Sequence, residues 1–381
     1  MKKTSISSII IGLTLLLTCA AQAACIEVNS INTPGDATAM FVIVKPGSYC
    51  LPDNVAGVSG KSGIRIDTDD VTLDLAGYAV IGVSGSLNGI LINNHLRIAV
   101  RNGSISGWGS NGLDGTSAGA SRLDDLRAEN NAGIGLIINS GSQVTNCISG
   151  QNGGVGISTS NDVLVTGCMS GSNGGHGFQL GTACTIKSSF ASGNGGAGIA
   201  PSGVNSLTVI DCNAHLNNGA GIAGPNRAFI TSSTAAENKA GGISAAASST
   251  ISNCNASGNT GPGIFASMGS AVTGCTVSAN TTDGIQVDNL SRVEGNICQG
   301  NGTGGDGAGI HVTGRKNRVD GNMATSNHRG IDVDAGGNLI VRNDCSNNTT
   351  NYDIAPGNTN ASVESPGANF ILTRPWANFI H

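Results

Sequence analysis

The chain of 381 residues carries 59 Gly and 9 Pro, with 39% hydrophobic, 11% charged and 3% aromatic residues. Glycine is at about twice its usual share, yet no three-residue glycine period exists, which excludes a collagen-like helix. With 19 Lys+Arg against 24 Asp+Glu the net charge is −5, so the basic excess of a nucleic-acid binder is missing.

Residues 1–23 read as a signal peptide: Lys2 and Lys3, an apolar run from Ile9 to Leu17, then Ala21-Gln22-Ala23 as a small-x-small cleavage site. The mature chain is expected to be secreted or periplasmic, in a compartment that permits disulfides. No later stretch reaches the length of a membrane span. Residues 24–60 form an expected N-terminal cap. Cys25 and Cys50 lie there, outside the repeat rows. They are predicted to form a disulfide that ties this segment over the first rung, since a solenoid end exposes unpaired strand edges.

Residues 61–352 are organised by a repeat. Gly135, Gly156, Gly177, Gly198, Gly221, Gly242, Gly263, Gly284, Gly309 and Gly330 each precede Leu, Ile or Phe. Most are 21 residues apart, and Gly63, Gly89 and Gly112 extend the row. A β-branched row keeps the same step (Val144, Val165, Ile186, Val209 and onward), and so does an Asn row from Asn152 to Asn348, with Asn131 at its head. The best helix formers are scarce. Segments such as Ile285-Gln286-Val287-Asp288 alternate apolar and polar, as short strands do. About 21 residues therefore make one rung of short parallel strands. The glycines are expected to supply backbone freedom at the corners, and the asparagines to form a column in which each amide donates to one neighbour and accepts from the other. The fold class is all-β: a single-stranded parallel β-helix of about 13 rungs with caps at both ends, residues 353–381 forming the C-terminal capping tail with Phe370, Trp376 and Phe379.

These rows resemble the pectate-lyase-like right-handed parallel β-helix repeat proteins, which carry asparagine ladders of this kind. The resemblance covers roughly residues 40 to 350. Its opening, Pro46-Gly47-Ser48-Tyr49, then Asp70-Val71-Thr72-Leu73-Asp74-Leu75 with Arg101-Asn102-Gly103, is similar to the first rungs of many secreted bacterial β-helix proteins of unassigned function. It implies a right-handed coil. It makes a polysaccharide lyase, hydrolase or epimerase plausible, but the catalytic motifs of pectate lyases match no position here, so no catalytic residue carries over.

Ten cysteines remain after Cys19 leaves with the signal. Cys147, Cys168, Cys212, Cys254 and Cys275 share one row with Ser and Asn and read as a buried column of small thiols. They are spread along an axis, whereas zinc needs ligands that converge on a point.

Charge is distributed unevenly along the chain. Residues 136–282 hold 6 charged side chains and residues 283–342 hold 13. The Gly-Ile strands place Gln286, His311 and Asp332 in one outward row, with Asp288, Thr313 and Asp334 beside it. Carboxylates and an imidazole on one face suit acid–base work, which makes Asp332, His311, Asp334 and Asp288 the candidate catalytic residues. Gln286, Arg315, Arg318 and Arg329 are the candidate substrate contacts, the arginines for an acidic polysaccharide. Asp67, Asp69, Asp70 and Asp74 form a second acidic cluster, read as turn residues. Neither a metal nor a cofactor is expected. Trp108, Tyr78 and Phe265 are the aromatics that sugar binding would use, and they form no row. The leading functional expectation is a non-catalytic envelope or extracellular rod that binds polysaccharide or cell-envelope glycan; the alternative is an enzyme acting on an acidic glycan.

Overall fold

The computed structural model describes residues 25–365 and 374–381; the expected signal segment and Phe370 lie outside the described residues. Every element among the described residues is a β-strand, mostly of three residues. One sheet stacks fifteen parallel strands, from Ala39–Ile43 to Thr350–Ile354, and a second sheet has thirty strands. In the repeat, each rung gives one strand to the first sheet and two short, hinged strands to the second. One rung uses Ile157–Thr159, Leu164–Thr166 and Met169–Gly171. The next lies directly on it, with Ile157 over Phe178, Val165 over Ile186 and Ser170 over Ala191.

The fifteen rungs exceed the expected thirteen by the first and the last. Ala39–Ile43 pairs with Ser62–Ile66, and Thr350–Ile354 pairs with Arg329–Val333. Neither added strand begins with the Gly-apolar pair that marks the others, so the period does not reveal them.

The inward β-branched row, Val144, Val165, Ile186, Val209, Ile230, Ile251, Val272 and Val293, is wholly buried. Burying each such side chain contributes about 1.5–3 kcal/mol. Beside it runs an unbroken amide ladder from Asn131 to Asn348. In the links Asn152–Asn173, Asn173–Asn194 and Asn238–Asn259, each Nδ2 donates to the Oδ1 above at 3.0 Å. The same Oδ1 also accepts the backbone N–H of the Asn below, as from Asn152 to Asn173 at 3.1 Å. Each buried amide is thereby satisfied without water. A second ladder, Asn296, Asn322, Asn343 and Asn378, strengthens the last rungs.

Corner glycines are not the reason for the Gly row. Gly135, Gly198, Gly221 and Gly242 have ordinary backbone angles, while the hinges are left-handed residues of many types: Asn146 (φ 52°), Ser188 (45°), Asp211 (53°), Asn253 (53°) and Arg342 (58°). The glycines give space. A Cβ on Gly221 would lie 2.6 Å from Asn238 Nδ2 and 2.8 Å from the Gly242 carbonyl oxygen, so a side chain there would collide with the ladder. Trp108 is likewise not a surface aromatic. It is 1% exposed, donates Nε1–H to the Val80 carbonyl at 2.9 Å, and fits because Gly57 and Gly63 leave room for its indole.

Cys25 and Cys50 form a disulfide with a Cα–Cα distance of 5.7 Å. The other eight described cysteines are buried free thiols. Burial pushes Cys212 up to about 11 and Cys345 to about 12, which removes thiolate character and with it reactivity. No described helix is long and apolar enough to cross a membrane.

Candidate functional site

Four consecutive rungs of the first sheet bring one outward position into register: Gln286 over His311, His311 over Asp332, and Asp332 over Asp353. In-register stacking converts a spacing in sequence into a column of touching side chains. His311 is clamped at both ring nitrogens, with Nδ1 3.0 Å from Asp283 Oδ2 and Nε2 3.1 Å from Asp334 Oδ2. Asp332 Oδ2 is 4.0 Å from the same Nε2. Asp283 is held in turn, its Oδ1 accepting the Ala308 backbone N–H at 2.8 Å.

Arg329 closes the other side. Its guanidinium reaches Asp332 at 2.7 Å, Asp306 at 2.8 Å and Asp353 at 3.4 Å. Asp306 lies in the 302–307 insertion of the rung that runs from Gly284 to Gly309. The hydrogen bond that His311 donates to Asp283 outweighs burial and raises the imidazole to about 9. Desolvation raises Asp332 above the usual carboxylate range, against the pull of His311 and Arg329. At neutral pH the site is therefore an imidazolium and a guanidinium among five acidic side chains, of which Asp283 and Asp332 are buried.

Of the residues singled out in the sequence, His311, Asp332, Asp334 and Arg329 meet here, and Gln286 sits one rung below. Asp288 is displaced from the cluster and accepts a hydrogen bond from Thr313 Oγ1 at 3.2 Å. Arg315 is exposed in a turn where its backbone N–H bonds Asn289. Arg318 belongs to the second sheet and pairs with Asp320 at 2.6 Å. Asp283, Asp306 and Asp353 escape the sequence reading because they occupy, respectively, the turn before a Gly-Ile strand, an insertion and a strand without the repeat signature. Only the in-register pairing of Asp353 with Asp332 has a trace in the sequence, as a 21-residue step.

His311, Asp332 and Asp334 each offer one ligand atom within 4.8 Å of the others. A cation there would have to displace the proton that the carboxylates hold on His311. The N-terminal acidic cluster is compensated: Arg65 pairs with Asp36 and Asp67, Arg97 with Asp69 and Asp70, and Arg101 with Asp74. His95, which carries no partner signature in the sequence, lies 2.9 Å from Asp69.

The stacked parallel rungs with an internal asparagine ladder define a β-helix protein, and the model of the right handed beta helix region matches residues 54–214 and 181–322. The chain belongs to that family, so the solenoid is right-handed. Among solved structures it is similar to the A-module of mannuronan C-5 epimerase AlgE6 from Azotobacter vinelandii, at 15% identity and a TM-score of 0.57, covering 78% of this chain and 90% of that one. The A-module of mannuronan C-5 epimerase AlgE4 from the same organism matches at 14% identity and a TM-score of 0.48, over 83% and 91%. Pectate lyase Pel9A matches at 15% identity and a TM-score of 0.32, over 65% and 70%. No curated protein sequence matches.

Proposed function

We propose that the protein is an exported glycan-binding rod whose contact point is the His311 cluster. The observation that carries this reading is the convergence of Asp283, His311, Asp332, Asp334 and Arg329 on one outward column, while rungs 136–282 are almost free of charge. Two cations face five carboxylates, and the excess negative charge favours hydroxyl groups, which donate to carboxylates, over the acidic units of a polyuronate. The Arg329 guanidinium is already shared among three carboxylates. The fold likeness to a mannuronan epimerase module makes a carbohydrate ligand the natural class to examine, although fold alone does not assign activity. The Cys25–Cys50 disulfide supports an oxidising compartment, and the expected caps, 24–60 and 353–381, are proposed in shortened form, as the parts of those segments that lie outside the strands Ala39–Ile43 and Thr350–Ile354.

A second reading, acid–base chemistry on the bound glycan, is favoured by one observation: a desolvated Asp332 beside a protonated His311. An imidazolium that can give a proton and a carboxyl group that burial makes more basic can divide the roles of acid and base. A screen of the mature protein against neutral and acidic polysaccharides, reading binding and chain modification together, separates the readings. Binding to a neutral glycan that is lost in folded Asp332→Asn and His311→Ala variants supports the site. Binding unchanged in both variants removes it. A modified product that appears with wild type and not with Asp332→Asn establishes the second reading.

A further inference from the structure

The second sheet carries a different feature at its C-terminal end. Arg318, Leu339, Val341, Thr359, Asn360, Ala361 and Trp376 line an open hollow of about 390 Å3, within the size range of small-ligand sites. Trp376 is 53% exposed. Its indole is covered on one face, and its main chain is anchored. The Arg342 guanidinium lies over its ring at 4.9 Å from the centroid, and Arg342 N–H donates to the Trp376 carbonyl at 3.2 Å. The chain leaves Trp376 through Ala377 and Asn378, both buried, and Asn378 Oδ1 accepts from Asn343 Nδ2 at 3.2 Å in the second ladder.

The charges beneath the hollow do not cancel. Asp320 is fully buried and receives both Arg318 and Arg342. The two guanidiniums keep its carboxyl below the usual range, so one carboxylate answers two permanent cations. Arg318 spends Nε and Nη2 on Asp320; its Nη1 makes no hydrogen bond among the described residues. Arg292, one rung below Arg318, is already paired with Glu294. Arg374 lies 3.9 Å from Glu364.

We propose that this hollow is a binding site for a carboxylate-bearing pyranose, a uronate unit of an acidic glycan. The apolar C–H face of the ring would lie against the Trp376 indole and the Leu339 and Val341 side chains, and its carboxylate would take the remaining Arg318 N–H. Apolar stacking on the aromatic suits the C–H face of a pyranose ring, and the charge-assisted hydrogen bond from Arg selects the ring that carries a carboxylate. A preorganised ring and a pre-oriented guanidinium also reduce the ordering that binding requires. The site is independent of the His311 cluster. It lies on the other sheet and has the opposite excess charge.

Trp376 emission tests the proposal in the intact protein, because the other tryptophan, Trp108, is buried. Titration with an oligouronate is expected to change the emission saturably, while a neutral oligoglucoside of equal length leaves it unchanged. By calorimetry, Arg318→Gln and Trp376→Ala are each expected to weaken oligouronate binding by about tenfold or more, and His311→Ala to leave it unaltered. Melting curves confirm that the variants are folded, and in Arg318→Gln the buried Asp320 still has Arg342. Equal response to the neutral sugar, no saturable response to the oligouronate, or unweakened binding in folded Trp376→Ala overturns the proposal. So does oligouronate binding that is lost in His311→Ala and kept in Trp376→Ala.

Discussion

His311 shows how a residue's neighbours set its chemistry. An imidazole that ordinarily titrates at 6.5 is raised to about 9 because Asp283 and Asp334 occupy both nitrogens. The folded state therefore binds this proton more tightly than the unfolded chain. The stabilisation is complete below 6.5 and is lost as pH rises through about 9. Wild type is expected to show a falling melting temperature across that window, and His311→Gln is expected to be flat there; equal slopes would refute the assignment. The His311–Asp332–Asp334 group is legible in the sequence, since a 21-residue step and strand alternation are enough to put these side chains on one face. Asp283 is not, because its role arises from a turn whose direction no periodicity specifies. Trp108 is misread for a related reason: the space that buries it is made by Gly57 and Gly63, which are close only after coiling.

At the scale of one rung, two kinds of glycine have opposite tolerances. Gly221 has an ordinary φ and no space, whereas Gly295 has a φ of 64° and nothing within 4 Å of an added Cβ. Gly221→Ala is expected to destabilise by about 1–3 kcal/mol through overpacking against the ladder. Gly295→Asn is expected to be near neutral, because Asn tolerates the left-handed region and the equivalent hinge two rungs earlier is Asn253. Chemical denaturation of the two variants measures the contrast; similar losses would mean that conformation and not space selects the Gly row. Asn238→Ala should lose about 1–3 kcal/mol, since it leaves a buried amide and a backbone N–H without acceptors. The rung is the level best seen in the sequence. Residues that stack on their own equivalents must repeat, so Val, Asn and Gly each appear as a column. The corners are the exception. Asn, Ser, Asp and Arg all serve there, and a position filled by many residue types leaves no row to find.

Over the whole molecule, each rung contacts its neighbours and stability accumulates along the axis. Strands at the two ends are stabilised from one side only, and the Cys25–Cys50 disulfide ties the segment Ile26–Glu27 onto Gly47–Cys50. Cys25→Ser/Cys50→Ser is expected to raise hydrogen exchange over residues 25–50 while the central rungs keep their protection; loss of protection along the entire rod would show a cooperative role instead. The charge deficit belongs to the long middle of the rod; the first rungs spend their charges on mutual ion pairs, and on the last rungs the two sheets carry clusters of opposite sign.

Hydrogen exchange with a bound neutral glycan tests the central claim most directly. New protection confined to the strands Ala308–Val312 and Arg329–Val333 is the result expected for a rod that contacts its ligand at the His311 column. Protection spread along the uncharged rungs of 136–282, with none on those two strands, would contradict it.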